Sequence, residues 1–468
     1  MGKAANREKS LANALSAFAA FVAEAPGGWS DRALSEARRA VLDTVGCMIA
    51  GAGEDAPGRA FAAARAWGAG PCAVIGQTER LAAPSAALIG GTAAHALDFD
   101  DLFDPPKAHG SAALVPAILA FGDAREISGA DALDAYTVGL EVLGRVGQGM
   151  NPHHRNRGWH ATATLGTVGV AAAVARLLKL DAEKAAHALS LATSFAAGSM
   201  AQFGTLAKPL HAGLAAQGGL MAALLAEAGI TAGTETFDGP HGMQRLMVGP
   251  DLDELRQTLT GEEYGQRLDF PVGEIGAPLL VETYGLKFKR FPNCASVHRP
   301  LDGLLELKAA HGFGPDDVTG LHIRAPKHLL ANLMYPNPET PAEAKFSLEY
   351  GLATGLATGD NTLADFTPEA IQRPEIRRLM SLVTSEPVDA LEMSFPTEIT
   401  ITCTNGQQFR TAVKMAVGSY AKPLSDDALI RKFHACAAAR PAETRDRLVT
   451  LCMGLDAVTS TRELTKLF

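Results

Sequence analysis

The chain has 468 residues, 47% of them apolar and 20% charged, with a formal net charge of −9. That length and composition support a large buried core and two or three domains, and they exclude a disordered chain. With no block of lysine and arginine, nucleic acid is not an expected partner. Six scattered cysteines without a CxxC pair support neither a zinc knuckle nor an iron–sulfur site and fit a reducing cytoplasm.

In chain order, the N-terminal stretch "MGKAANREKSLANALSAFAAFVAEAPGG" lacks the compact apolar run and small-residue cleavage site of a secretory signal. From about residue 10 to 270, apolar residues recur every three to four positions between Gly, Pro and Asp punctuation. The spacing predicts helices over 31–53, 83–101, 111–127, 130–149, 162–178, 181–200 and 209–229. The most apolar stretches, "GTVGVAAAVARLLKL" and "GLAAQGGLMAALLAEAGI", meet Arg, Lys, Gln or Glu before reaching about 18 residues. They read as buried core helices, and no membrane partner is expected. Near 270 the character changes. "DVTGLHIRAP" (317–326) and "TEITITCTNGQQFRTAVKMAV" (397–417) alternate as strands, the second with an Asn405–Gly406 hairpin turn. Residues 342–358 and 374–384 are predicted helical, and the tail returns to helix that should pack on the first domain. The expected fold is therefore mainly α: an all-helical domain of 1–274 plus 419–468, interrupted by a smaller α+β lid domain of 275–418.

The segment "AAHALDFDDLFDPPKAHGS" (93–111) concentrates His95, Asp98, Asp100, Asp101, Asp104, Lys107 and His109. His109 precedes an apolar helix for which Ser111 is a natural N-cap. His160, in "GWHATATLG", precedes another, capped by Thr162 or Thr164. Lys208 stands directly before Pro209, and His298 two residues before Pro300, both prolines marking helix starts. Four basic side chains thus precede four helix N-termini. Such termini bind anions, and their field disfavours protonated Lys and His, moving them toward use as general bases. If they converge, they make a site for a substrate with two or three carboxylates.

Each residue also has a plain reading. A lone histidine before a helix is more often a cap than a catalyst; Asp100, Asp101 and Asp104 can simply end a helix and shape the Pro105–Pro106 turn. His153 and His154 read as loop residues, and His211 can pack inside the bundle. His95, His187, His241, His311, His322, His328 and His434 have no constellation around them. HExxH, DxDxDG, GxGxxG, GxxxxGK[ST] and GxSxG are all missing, so no metal or cofactor is expected.

An ordered set of motifs resembles the MmgE/PrpD family: "VLDTVGCMIAGAG" (41–53), "AAHALDFDDLFDPPKAHGSAALVPAILA" (93–120), "GWHATATLGTVGVAAAVARLLKLD" (158–181), "LAKPLHAGLAAQGGLMAALLA" (206–226), "KRFPNCASVH" (289–298) and "PAEAKFSLEY" (341–350). The resemblance implies a cytoplasmic homodimer of two-domain subunits with the active site in the cleft. It implies action on a small di- or tricarboxylate without a cofactor. The family's site residues fall on Asp98, His109, His160, Lys208 and His298. Lys289 and Cys294 of the lid motif, and His211, would line the cleft and bind substrate. The Asp98–His109 spacing is about one residue longer than in the decarboxylase-like pattern, Gly110 replaces a common Pro, and Phe291 a frequent Tyr. The implied activity is a lyase, 2-methylcitrate dehydratase-like or cis-aconitate decarboxylase-like. An epimerase of a substrate such as iminodisuccinate is the alternative, and a non-catalytic polycarboxylate binder is the second.

Overall fold

The structure, a computed structural model, describes residues 13–259, 264–391 and 393–468. The first part of the N-terminal stretch, including residues 10–12 of the predicted helical region, lies outside the described residues. The helical part comprises α1 (Ala14–Glu24), α2 (Asp31–Gly51), α3 (Asp55–Ala64), α4 (Ala83–His95), α5 (Gly110–Arg125), α6 (Gly129–Met150), α7 (Ala161–Leu177), α8 (Ala182–Phe195) and α9 (Ala207–Glu227). A small hairpin of β1 (Ala69–Ala73) and β2 (Arg80–Leu81) interrupts it. The second part contains α10 (Ala295–His311), β3 (Val318–Pro326), α11 (Leu348–Thr358), α12 (Pro374–Met380), β4 (Val383–Val388), β5 (Thr397–Cys403) and β6 (Gln408–Val413). The tail adds α13 (Asp426–Cys436) and α14 (Ala442–Met453). The fold is mainly α with a minor α+β portion, as the patterning predicts.

Short polar side chains start the outer helices by accepting first-turn amides. Ser30 accepts from Ala33 at 3.2 Å ahead of α2, and Asp181 from Lys184 at 2.9 Å ahead of α8. Ser128 and Asp131 form a reciprocal capping box on α6. The predicted helix over 83–101 ends instead at His95, because Asp98 adopts φ 50°, a left-handed backbone that cannot continue a right-handed helix. The predicted helix over 374–384 stops at Met380, and β4 follows, parallel to β3. The sheet order is β4-β3-β5-β6, with β3–β5 and β5–β6 antiparallel and Ile323 opposite Ile399.

Two hydrophobic cores divide the chain. One joins α1 to α9 with the tail, where Leu429, Phe433 and Leu448 are buried beside Phe18, Leu42 and Val168. The other is built on Val297, Leu301, Ile323, Tyr350 and Ile399. Helix α9 is the hub of the first, packing on α4, α7 and α8. It is long and apolar enough to cross a membrane by composition, and 61% of its most apolar window is buried inside the protein. Its approach to α4 depends on glycine: a methyl group added at Gly213 would stand 2.2 Å from the Leu88 carbonyl oxygen. This close crossing brings Lys208, five residues before Gly213, against the loop that follows α4.

Candidate active site

A cavity of about 350 Å³ opens between the helical part and the lid, within the range of small-molecule sites. Asp98, His109, His160 and Lys208 face it from one side, and Lys289, Cys294, Asn332 and Phe346 from the other. Counting side chains that carry full charge, five cations (Lys107, Arg155, Lys208, Lys287, Lys289) line it against two carboxylates, Asp98 and Asp104.

Three helices begin at this cavity, and none of them has a side-chain cap. His109 is the N-cap residue of α5, His160 that of α7, and Lys208 sits in the first turn of α9. The first-turn amides of α5 and α7 are therefore not occupied by capping side chains, whereas the Ala207 amide of α9 donates to the Thr205 hydroxyl at 3.2 Å, and the positive ends of the helices favour an anion there. Ser111 is not the cap that the sequence suggests. It lies inside α5, with its hydroxyl donating to Asp101 and 2.7 Å from the Tyr136 hydroxyl. Thr162 ties two of the helix starts together by accepting the His109 amide at 3.0 Å. The His160 amide donates to the Gly198 carbonyl at 3.0 Å, where a methyl on Gly198 would stand 2.6 Å from the Ala163 side chain.

Asp98 is buried and doubly paired. Lys208 forms an ion pair with one carboxylate oxygen, and Lys289 lies 3.0 Å from the other while donating to the Asp98 carbonyl at 2.8 Å. Burial alone would raise this carboxyl, but the two ammonium groups outweigh it and hold it well below the usual carboxylate range. Two more lysines grip the same loop. Lys345 of the lid donates to the Ala96 carbonyl at 3.0 Å, and Lys432 of α13 to the Phe99 carbonyl at 2.6 Å. The strained backbone at Asp98 is thus fixed from three directions.

Beside this clamp lies an imidazole cluster. His95 and His109 have ring centroids 4.5 Å apart, His95 stacks on His160 at 5.9 Å, and His160 meets His211 with Nδ1 atoms 3.0 Å apart. Burial holds His160 well below the usual imidazole range, helped by the neighbouring His95, Lys208, His211 and His109. His160 is therefore neutral near pH 7 without ligand. A bound carboxylate would favour its protonated form and restore it as a proton donor.

Of the residues singled out in the sequence, Asp98, His109, His160, Lys208, Lys289 and Cys294 line the cavity. Burial, followed by the charge of Asp98, raises the Cys294 thiol, so it is not a thiolate. His211 lies behind His160 and His298 behind the lid wall, edge-on to Phe291 at 5.3 Å; neither lines the cavity. Pro300 does not mark the start of α10, which begins five residues earlier. Sequence reasoning passed over His95 and Asp100. Asp100 is fully buried with its oxygens 2.9 and 3.0 Å from His95 Nδ1, and one of them 3.0 Å from His109 Nδ1. The five-residue His95–Asp100 spacing was visible, but a helix continuing through 101 put the two on different faces. His153 lines the cavity, while His154 is buried 2.9 Å from the Thr164 hydroxyl.

Among the described residues, His95, Asp100 and His109 form one group able to hold a metal ion, their ligand atoms lying within 4.8 Å of one another. The same contacts suit a carboxylate accepting from two ring N–H groups.

Comparison with known proteins agrees with this architecture. The MmgE/PrpD N-terminal domain matches residues 16–255, and the MmgE/PrpD C-terminal domain matches 291–455. The chain is 30% identical over 458 residues to cis-aconitate decarboxylase of Homo sapiens, covering 94% of this chain and 91% of that protein. It is 28% identical to cis-aconitate decarboxylase of Mus musculus, covering 94% and 89% of the two chains. Against cis-aconitate decarboxylase of Aspergillus terreus the identity is 24%, covering 93% and 91%. With two domain matches in order on either side of one cleft, the chain belongs to the MmgE/PrpD family.

Proposed function

We propose that the protein is a lyase of the MmgE/PrpD type that removes CO₂ from a small unsaturated tricarboxylate such as cis-aconitate. The observation that carries this reading is the ionised Asp98, locked between Lys208 and Lys289 beside two imidazoles in a cavity with surplus positive charge. A trianion would meet Lys208, Lys289, Lys287 and the open starts of α5 and α7. Cleavage of the bond to the departing CO₂ releases an electron pair. The adjacent double bond shifts, and the pair reaches the carbon beside a remaining carboxylate. A proton must be delivered to that carbon, and His109 and His160 are the groups placed to hold it. The lysines stabilise the developing charge, and Asp98 keeps their ammonium groups oriented. The names of the relatives support decarboxylation over dehydration.

The proposal extends to a cytoplasmic homodimer acting without a cofactor, as the resemblance implies. Exposed Leu206, just before α9, and exposed Leu214 further along it support the dimer, and sedimentation of the purified protein tests it.

The test is proton NMR of the protein in D₂O with cis-aconitate, 2-methylcitrate, citrate and iminodisuccinate in parallel. New vinyl signals with CO₂ release from cis-aconitate are expected. Deuterium entering a carbon beside a carboxylate without change of skeleton would replace the lyase with an epimerase. Binding without exchange or turnover across the panel would leave a polycarboxylate binder.

A further inference from the structure

Behind the cavity wall, one carboxylate is shared by two imidazoles. Asp100 is completely buried; its oxygens lie 3.0 and 2.9 Å from His95 Nδ1, and Oδ2 also lies 3.0 Å from His109 Nδ1. An ionised carboxylate only accepts hydrogen bonds, so the His95 Nδ1 that bonds Asp100 carries its proton, and the His109 Nδ1, at ion-pair distance from Oδ2 but outside hydrogen-bond geometry, faces the same negative charge. Burial would raise Asp100, but the two imidazoles outweigh it and hold the group well below the usual carboxylate range. His109 Nδ1 is screened from solvent while the ring lines the cavity, which leaves Nε2 as the nitrogen available to a ligand.

We infer that Asp100 is the positioning residue of the site, holding His109 with its proton on Nδ1 so that Nε2 takes up and returns the proton of the reaction. This inference rests on the proposed acid–base chemistry and deepens it. In the lyase direction, His109 gives its Nε2 proton to carbon and becomes a neutral ring whose Nδ1 still faces Asp100; solvent then restores the proton. Asp100 remains ionised throughout, as the carboxylate does in serine-protease triads. His95 is the second holder of the same carboxylate. Burial drives its imidazole down to about 3, so it stays neutral and adds no competing cation. His160 differs, because its Nδ1 faces another imidazole, His211, and not a carboxylate. Between His109 and His160, His109 is the one whose Nδ1 faces a carboxylate. That separates the proton carrier from the neutral hydrogen-bonding partner.

The titratable and charged groups around His109 are Asp98, Asp100, Asp104, Lys107 and His95 from its own segment and its preceding helix, His160 from α7, and Lys208 and Lys289 across the cavity. Two measurements on the full-length protein test the assignment. The first needs no substrate. Long-range ¹H–¹⁵N spectra of ¹⁵N-histidine-labelled protein, with the His109 signals identified by their loss in His109→Gln, should show a neutral ring protonated at Nδ1. A ring protonated at Nε2 overturns the inference even if the enzyme turns over. A ring protonated at Nδ1 in a protein inert toward the whole carboxylate panel supports the positioning role and sinks only the lyase reading.

The second measurement is Asp100→Asn. It should lower kcat about 10²- to 10⁴-fold with KM within about threefold, because the ring is no longer held by the carboxylate. A kcat within about threefold of wild type, or kcat and KM damaged together, overturns the inference. So does a stoichiometric divalent ion in the wild-type protein that is lost from Asp100→Asn, which would make the trio a metal site. If Asp100→Asn does not fold, the wild-type spectrum decides alone.

Discussion

Asp98 and Asp101 stand three residues apart in "DFDD", both are buried, and they are driven in opposite directions. Asp98 faces the cavity, where Lys208 and Lys289 keep it ionised against the cost of burial. Asp101 faces the helical core, where it accepts a hydrogen bond from the Ser111 hydroxyl; burial, with Asp43 and Asp100 nearby, pushes its carboxyl well above the usual range. A hydroxyl cannot neutralise a carboxylate, so Asp101 is held as the neutral acid, whereas two ammonium groups secure the anion. The same residue type in one loop therefore serves chemistry on one face and packing on the other, and the nearby cations decide which.

The comparison is sharpest under one isosteric change made at both positions. Asp98→Asn removes the charge that orients two buried lysines and should reduce kcat/KM by about 10³ or more, with Lys208→Ala matching it. Steady-state CO₂ release from cis-aconitate measures both, and near-wild-type rates in either would break the contrast. The next effect concerns stability. Lys432→Met leaves Asp43, now 2.6 Å from the Lys432 ammonium, buried without its cation and should cost about 3–5 kcal/mol in chemical denaturation.

Acid should act through the cavity side. Asp98 and Asp100 have depressed folded values, so their stabilisation is present above the unfolded carboxylate range and is lost as pH falls through the folded one. His95, depressed to about 3, adds acid lability as pH falls below the ordinary imidazole range. Thermal melts should therefore fall steeply below about pH 4, and Asp98→Asn should blunt that fall. Asp101 has the reverse sign: its folded value is raised, so it stabilises at low pH and that contribution is lost as pH rises. Asp101→Asn should raise Tm by about 1–3 °C at pH 8, have no effect near pH 3, and leave kcat within about twofold. A lower Tm at pH 8 would remove the neutral-acid assignment.

How much of this was legible in the sequence follows the range of the forces involved. Helices α2 and α5 to α9 are local objects, and apolar spacing with punctuation places each of them within a few residues. His109, His160 and Lys208 could be reached because a basic residue before an apolar helix has a local meaning; Asp98 was reached through the family resemblance. β4 was missed because "VTSEPV" is an edge strand that exposes most of its residues and carries a proline, so no alternation marks it. The Asp100 pairings were missed because they depend on the chain leaving helix at His95. The loop that follows that break is held by lysines far away in sequence.

Those lysines have a consequence for how the protein folds. The carbonyls of Asp98, Ala96 and Phe99 are bound by residues 191, 249 and 333 positions downstream. Contacts of such separation close long loops and carry a high entropic cost, so they form late. A growing polypeptide can complete α1 to α9 and still lack the grip on this loop, because its last lysine arrives with α13. The segment that carries Asp98 and Asp100 is held in its final shape only once residues more than three hundred positions downstream have been made.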